Sequence, residues 1–181
     1  MPFHQTDIPG LILFEPKVFG DDRGYFFESY NSNTFEEEGG LKVNFVQDNQ
    51  AFSTRGVLRG LHYQTGDAAQ AKLVRVLQGE VLDVVVDIRE GSPTYGQYHK
   101  QRLSAENKLQ MFVPRGFAHG YAVLSETAVF FYKCDNFYSK ANEGGLRFDC
   151  PLLNIDWEIE VDELIVAERD RNFPSLGAHL K

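Results

Sequence analysis

The middle of the chain alternates between apolar and polar positions. Leu82, Val84, Val86 and Ile88 share one parity, and Asp83 and Asp87 take the other. This is the two-residue period of a β-strand. The preceding LVRVLQ ends at Gly79-Glu80, a turn signal, so 73–89 predicts a hairpin. The turn-rich GSPTYG follows, and then QYHKQRL (97–103), QMFVP (110–114), HGYAVL (119–124) and TAVFFYK (127–133) predict short strands. Upstream, LILFEPKVF, GYFFESY, NFVQDNQAF and VLRGLHYQ have the same character. Many short strands with turn signals every ~8–12 residues predict a sandwich or barrel. Helix is scarce. Thr34-Phe35-Glu36-Glu37 fits a capping box and Gly39-Gly40 a stop, which predicts a helix over 33–38. A second short helical piece is expected between Asp162 and Lys181.

No repeat, low-complexity tract or Ser/Gly/Pro linker divides the 181 residues, so 1–181 is expected to be one domain. Hydrophobic residues make up 43% and charged residues 24%, ordinary globular usage that argues against disorder. Eighteen basic against 26 acidic side chains give a net charge of −8. An acidic chain without basic blocks suits neither long nucleic acid nor an anionic membrane surface. A small anion is still admissible, since a few cations in one pocket suffice. Cys134 and Cys150 have apolar flanks and no C-x-x-C spacing, so both are expected as free core thiols. With no basic-then-apolar leader and no apolar run of ~18 residues, the expectation is a soluble, cytoplasmic protein.

Of five histidines, His4, His99 and His179 read as surface residues. His62 and His119 are embedded in Gly-rich apolar strands. Such a histidine is more often structural than catalytic, but it is also the natural base near neutral pH. PRGFAHG resembles the second motif of the cupins, double-sheet β-barrels, and VLQGEVLDVVVD resembles the first. Metal-binding cupins carry His-x-His and a downstream Glu; here the chain reads His62-Tyr63-Gln64 followed by TGDAAQAK. Only His62 and His119 could serve, short of the three ligands a catalytic metal needs, so no metal is expected.

FEPKVFGDDRGYFFESYN, FVQDNQAFS, VLRGLHYQ, KLVRVLQGEVLDVVVDIR, GSPTYGQY, LSAENK, VPRGFAHGYAVLSE and FFYKCDNFYS occur in order. Together they resemble the dTDP-4-dehydrorhamnose 3,5-epimerase family. The resemblance implies a mainly β, cupin-like jelly roll with a few short helices. It implies a cofactor-independent isomerase acting on a dTDP-4-keto-6-deoxy sugar, and no G-x-G-x-x-G follows a strand to suggest a nicotinamide. The implied roles are His62 as base, Asp170 as its orienting carboxylate, Tyr132 as acid and Lys72 beside the keto oxygen. The implied substrate contacts are Arg23, Phe26, Glu28, Gln47, Asp48, Asn49, Arg59, Lys72, His119, Tyr138, Glu143 and Arg169. Arginines suit a diphosphate because the planar fork donates in pairs. At 169 the family pattern carries lysine, so the chain departs there. Phe112 stands where tryptophan is common. The family's dimer, with N-terminal strands crossing to the partner, would bring Arg23 and Glu28 to the other subunit's site. Alternatives from other classes are a single-carbon epimerase or ketoisomerase, a metal-dependent cupin and a non-catalytic sugar-binding cupin.

On a regular strand Arg59 and His62 have opposite parity and face opposite sides. For both to reach one pocket, the strand must bulge or bend, and Gly60 is the expected place.

Overall fold

The structure, a computed structural model, describes residues 2–180. In chain order its elements are β1 (Phe3–Gln5), β2 (Ile12–Phe14), β3 (Phe19–Asp21), β4 (Gly24–Phe26), α1 (Ser32–Glu37), β5 (Gln47–Thr54) and β6 (Val57–Gln64). Then come β7 (Lys72–Gln78), β8 (Glu80–Asp87), β9 (Tyr98–Ser104), β10 (Gln110–Val113), β11 (Phe117–Val123) and β12 (Thr127–Cys134). β13 (Glu143–Gly145), β14 (Ile165–Val166) and α2 (Glu168–Arg171) complete the order. One sheet has six strands in the order β1-β2-β10-β7-β12-β5 and the other five in the order β13-β6-β11-β8-β9. β14 adds to β6 in parallel. The two sheets enclose a common interior, a jelly roll.

Each face of the sheets has its own cover. Val74, Val76, Val81, Val85, Met111 and Phe130 meet between the sheets. Leu58, Leu82, Val84 and Val86, on the outer face of the five-stranded sheet, are covered by Leu146, Phe148, Leu153, Trp157 and Leu164 from the C-terminal segment. Phe35 of α1 packs with Ile12, Phe14, Leu73 and Phe112 on the six-stranded sheet. β8 is therefore covered on both faces, and Asp83 and Asp87 are 0% exposed despite their alternation. Asp87 is held by Arg89, Ser92 and Thr94. Both cysteines are free and buried, as expected. No helix among the described residues is long and apolar enough to cross a membrane.

Several expectations are corrected. β7 and β8 do not form a hairpin: β7 pairs with β10 and β12, and β8 with β11 and β9. The turn at Gly79 carries the chain from one sheet to the other, because each strand finds its apolar partners elsewhere. The 11–19 stretch splits into β2 and β3 around Pro16, which cannot donate to a ladder. The predicted helix forms, but Asn31 caps it, its side-chain oxygen accepting from the Asn33 and Thr34 backbone at 3.0 and 3.4 Å. The predicted C-terminal helical piece is α2. His4 is exposed, whereas His99 and His179 are half-buried with Nε2 desolvated and unbonded. His99 lies opposite the buried Val85 and shares its inward face. His179 packs edge-on against Tyr63. Burial lowers the pKa of both rings.

The bend at Gly60 is present. His62 pairs with His119 and Arg59 with Tyr121, so three steps along β6 match two along β11. The extra residue restores Arg59 to the face of His62. Gly60 has φ +137°, and a Cβ there would stand 2.5 Å from Gly120 Cα and 3.0 Å from the His119 carbonyl oxygen. Backbone meets backbone, so nothing soft can yield. Gly60→Ala is expected to cost about 3 kcal/mol or more of stability, combining positive-φ strain and overpacking. Urea unfolding measures it; a loss under ~1 kcal/mol would contradict this account of the bend.

Candidate active site

The bend opens onto a cavity of about 520 Å³ between the sheets. Of the residues implied by sequence, Arg59, His62, Lys72, His119, Tyr132, Glu143, Arg169 and Asp170 line it. Gln47, Asn49 and Tyr138 line an adjoining cavity of about 230 Å³ that shares His62, Lys72, Tyr132 and Glu143 with the first. The two sheets contribute different chemistry. β6 and β11 supply Arg59, His62 and His119, while β7 and β12 supply Lys72 and Tyr132. A flat ligand between the sheets would therefore meet an imidazole on one side and a phenol on the other.

His62 Nε2 lies 2.9 Å from Asp170 Oδ1. Asp170 sits in α2, 2% exposed, and its Oδ2 accepts from the Gly60 backbone N–H at 3.1 Å. The same glycine thus bends β6 and anchors the carboxylate. Burial pushes the Asp170 pKa up, but His62, the Gly60 N–H and Arg169 together outweigh it and hold the carboxyl below its usual range. An ionised Asp170 accepts from Nε2–H, which leaves Nδ1 of His62 as the basic nitrogen. Arg169 Nη2 is 3.2 Å from Nε2, but an Nε2 that carries its proton towards Asp170 has no lone pair to accept from the guanidinium. The better defined contacts of Arg169 are Nε to Asp170 Oδ1 at 3.2 Å and Nη1 to Glu143 Oε2 at 2.9 Å. Tyr138 donates to the same Glu143 oxygen at 3.2 Å. Phe173 packs edge-on against His62, ring centroids 5.7 Å apart.

Burial pushes the Tyr132 hydroxyl up to about 12, so the phenol keeps its proton at neutral pH. Lys72 Nζ lies 5.8 Å from the centre of that ring. Burial lowers the Lys72 pKa, against opposing pulls from Cys134, Asp83 and Glu143. The Cys134 thiol is itself pushed up to about 11, chiefly by burial, and stays neutral. Among the described residues Lys72 makes no ion pair within 4.0 Å. A desolvated, unpaired cation facing a cavity is costly to the fold and suited to a developing negative charge.

Four residues implied by the resemblance are not gathered here. Asp48 is exposed on the opposite face of β5 from Gln47 and Asn49, and it pairs with Lys133 at 3.0 Å. Three successive residues of a strand cannot share one face, so Asp48 does not reach this cavity. Arg23 and Phe26 lie on the separate β3–β4 hairpin, where Arg23 pairs with Asp21. Glu28 lines a different cavity, together with Pro16 and Lys17. Two residues at the site escaped sequence reasoning. Asp83 places both oxygens 2.9 Å from His119 Nε2. Tyr121 lines the cavity beside Phe130, stacked at 4.1 Å between centroids. Tyr121 shares strand parity with His119, a legible signal; nothing in spacing couples Asp83 to His119.

Fold and cavity define a cupin-like isomerase, in which groups on facing sheets can serve opposite faces of one substrate. The family model for dTDP-4-dehydrorhamnose 3,5-epimerase matches residues 5–178. The chain belongs to the dTDP-4-dehydrorhamnose 3,5-epimerase family. It is 58% identical over 164 residues to the dTDP-4-dehydrorhamnose 3,5-epimerase of Pseudomonas aeruginosa, covering 91% of this chain and 90% of that protein. The crystal structure of the Elizabethkingia anophelis dTDP-4-dehydrorhamnose 3,5-epimerase matches with a TM-score of 0.92 at 55% identity, over 96% of this chain and 94% of that one. A Legionella pneumophila 3,5-epimerase in complex with dTDP-4-keto-L-rhamnose has a TM-score of 0.92 at 46% identity, over 96% and 92%.

Proposed function

We propose that this protein inverts carbons 3 and 5 of dTDP-4-dehydro-6-deoxy-D-glucose, giving dTDP-4-dehydro-L-rhamnose for dTDP-L-rhamnose biosynthesis. The observation that carries this reading is the placement of His62 and Tyr132 on facing sheets of one cavity, with the unpaired Lys72 beside Tyr132. The 4-keto group acidifies the protons on carbons 3 and 5. His62 Nδ1 removes such a proton, and the electron pair moves onto the 4-oxygen as an enolate. Lys72 stabilises that oxyanion. A proton delivered from the opposite face, by the Tyr132 hydroxyl at carbon 5, completes the inversion. Asp170 holds the imidazole in one tautomer and stabilises the imidazolium that forms. Gln47, Asn49 and Tyr138 would receive the nucleoside, and Arg59, His119 and Arg169 its diphosphate or sugar.

Incubation with this substrate in deuterated water, followed by NMR, tests the reading. Deuterium at both carbons with inversion at both is expected. Label at one carbon identifies a single-carbon epimerase instead, and no label refutes the proton-transfer mechanism. Tyr132→Phe is expected to keep proton removal at carbon 3 while failing to return a proton at carbon 5. The same NMR assay would then show an uninverted carbon 5.

The N-terminal segment supports a homodimer. Phe19, Tyr25 and Phe26 are 53%, 64% and 69% exposed on a two-stranded sheet that joins neither barrel sheet. Covering these rings with a partner would carry Arg23 and Glu28 to the partner's cavity, which they do not reach in their own chain. Analytical ultracentrifugation checks it, with twice the chain mass expected.

A further inference from the structure

Tyr121 and Ser53 take no part in the proton transfers, yet both converge on Arg59 at one corner of the cavity. Tyr121 is 5% exposed, and its hydroxyl is desolvated without a hydrogen bond, although Ser53 and Arg59 stand beside it. Ser53, also 5% exposed, accepts from Arg59 Nε at 3.1 Å. That bond holds the base of the guanidinium and leaves its terminal nitrogens uncommitted, for Arg59 makes no ion pair among the described residues. The β-bulge at Gly60 creates this juxtaposition by pairing Arg59 with Tyr121 across β6 and β11. Asp83, paired with Tyr121 on the neighbouring β8, has both oxygens on His119 Nε2.

We propose that Tyr121 and Arg59 form one anion-binding corner that takes diphosphate oxygens of the sugar nucleotide, with Ser53 as a positioning residue. The Tyr121 hydroxyl and the Arg59 terminal nitrogens donate to phosphate oxygen, and Ser53 keeps the guanidinium plane aimed. The corner is rich in donors and its nearby carboxylate is already engaged. The Arg59 terminal nitrogens only donate and carry a positive charge, which fits charged phosphate oxygens, which only accept. A phosphate oxygen would give the desolvated phenol a charged acceptor. This assignment rests on the function proposed above and adds a residue to its binding site.

Calorimetric titration of the full-length protein with dTDP tests it, alongside inhibition of epimerisation by inorganic pyrophosphate. Tyr121→Phe keeps the ring stacked on Phe130 and removes only the hydroxyl. It is expected to weaken both ligands about tenfold, the loss of one hydrogen bond to a charged group. Ser53→Ala is expected to weaken both by a similar factor, and Ser53→Thr, which restores a hydroxyl, to recover most of it. Unchanged affinity for both ligands in Tyr121→Phe and Ser53→Ala, with normal binding by the wild type, overturns the corner alone. Absence of dTDP binding by the wild type overturns the corner and the proposed substrate together.

Discussion

His62→Ala is expected to abolish deuterium exchange at carbons 3 and 5 and to lower turnover by at least ~10³-fold. A positioned general base is worth about 10²–10⁴ in rate, and no other imidazole can replace it. Among the described residues His119 is the only other histidine lining the cavity, and its Nε2 is committed to Asp83. The companion change, Asp170→Asn, keeps an acceptor oxygen for the Gly60 N–H but removes the charge that fixes the tautomer of His62. It is expected to cost about 10²-fold, less than loss of the base itself. Wild-type exchange in His62→Ala would refute the assignment of the base. An Asp170→Asn variant as inactive as His62→Ala would mean that the carboxylate does more than orient.

Lys72→Met is expected to separate activity from stability. Removing a preorganised donor to a developing oxyanion costs about 10²–10³ in kcat. The fold, however, gains, because a desolvated cation without an ion pair is replaced by an apolar side chain of similar length. The pH dependence carries the sign. Burial lowers the folded-state pKa of Lys72, so the unfolded chain binds this proton more readily than the folded one. Wild-type stability from this group therefore rises with pH, up to the unfolded pKa near ~10.4. The stability advantage of Lys72→Met should be largest near neutral pH and shrink towards that value. Thermal melts of both proteins across this range measure it, beside kcat. A less stable Lys72→Met protein would show that Lys72 has a partner that holds the barrel together.

Legibility differed between elements for physical reasons. β6 has the bounds expected from VLRGLHYQ, because its glycine and β-type residues are local signals. The bend at Gly60 was legible too, once Arg59 and His62 were required to share a pocket. Asp83 was not. Its alternation with Leu82 and Val84 reads as a polar face, yet that face is the interior of the barrel. The apolar face is covered instead by Trp157, Phe148 and their neighbours, 60 or more residues downstream. Asp48 misled in the opposite direction: a run of three polar residues, Gln47-Asp48-Asn49, resembles a binding segment, but strand alternation sends its middle member outward.

By itself the sequence determined the β character of the chain and the place of its longer strands, the family, and the side chains that could act as base, acid and oxyanion partner. These follow from local periodicity and from ordered motifs, which depend on neighbours along the chain. The tertiary structure decided which sheet each strand joins, and so that β7 and β8 part company at Gly79. It also brought Asp170 to His62 and Asp83 to His119, and left Tyr121 facing Arg59. Those pairings depend on which face of a sheet the distant C-terminal segment covers and on one extra residue in β6. A two-residue period specifies that two faces exist; only packing selects which of them becomes the cavity.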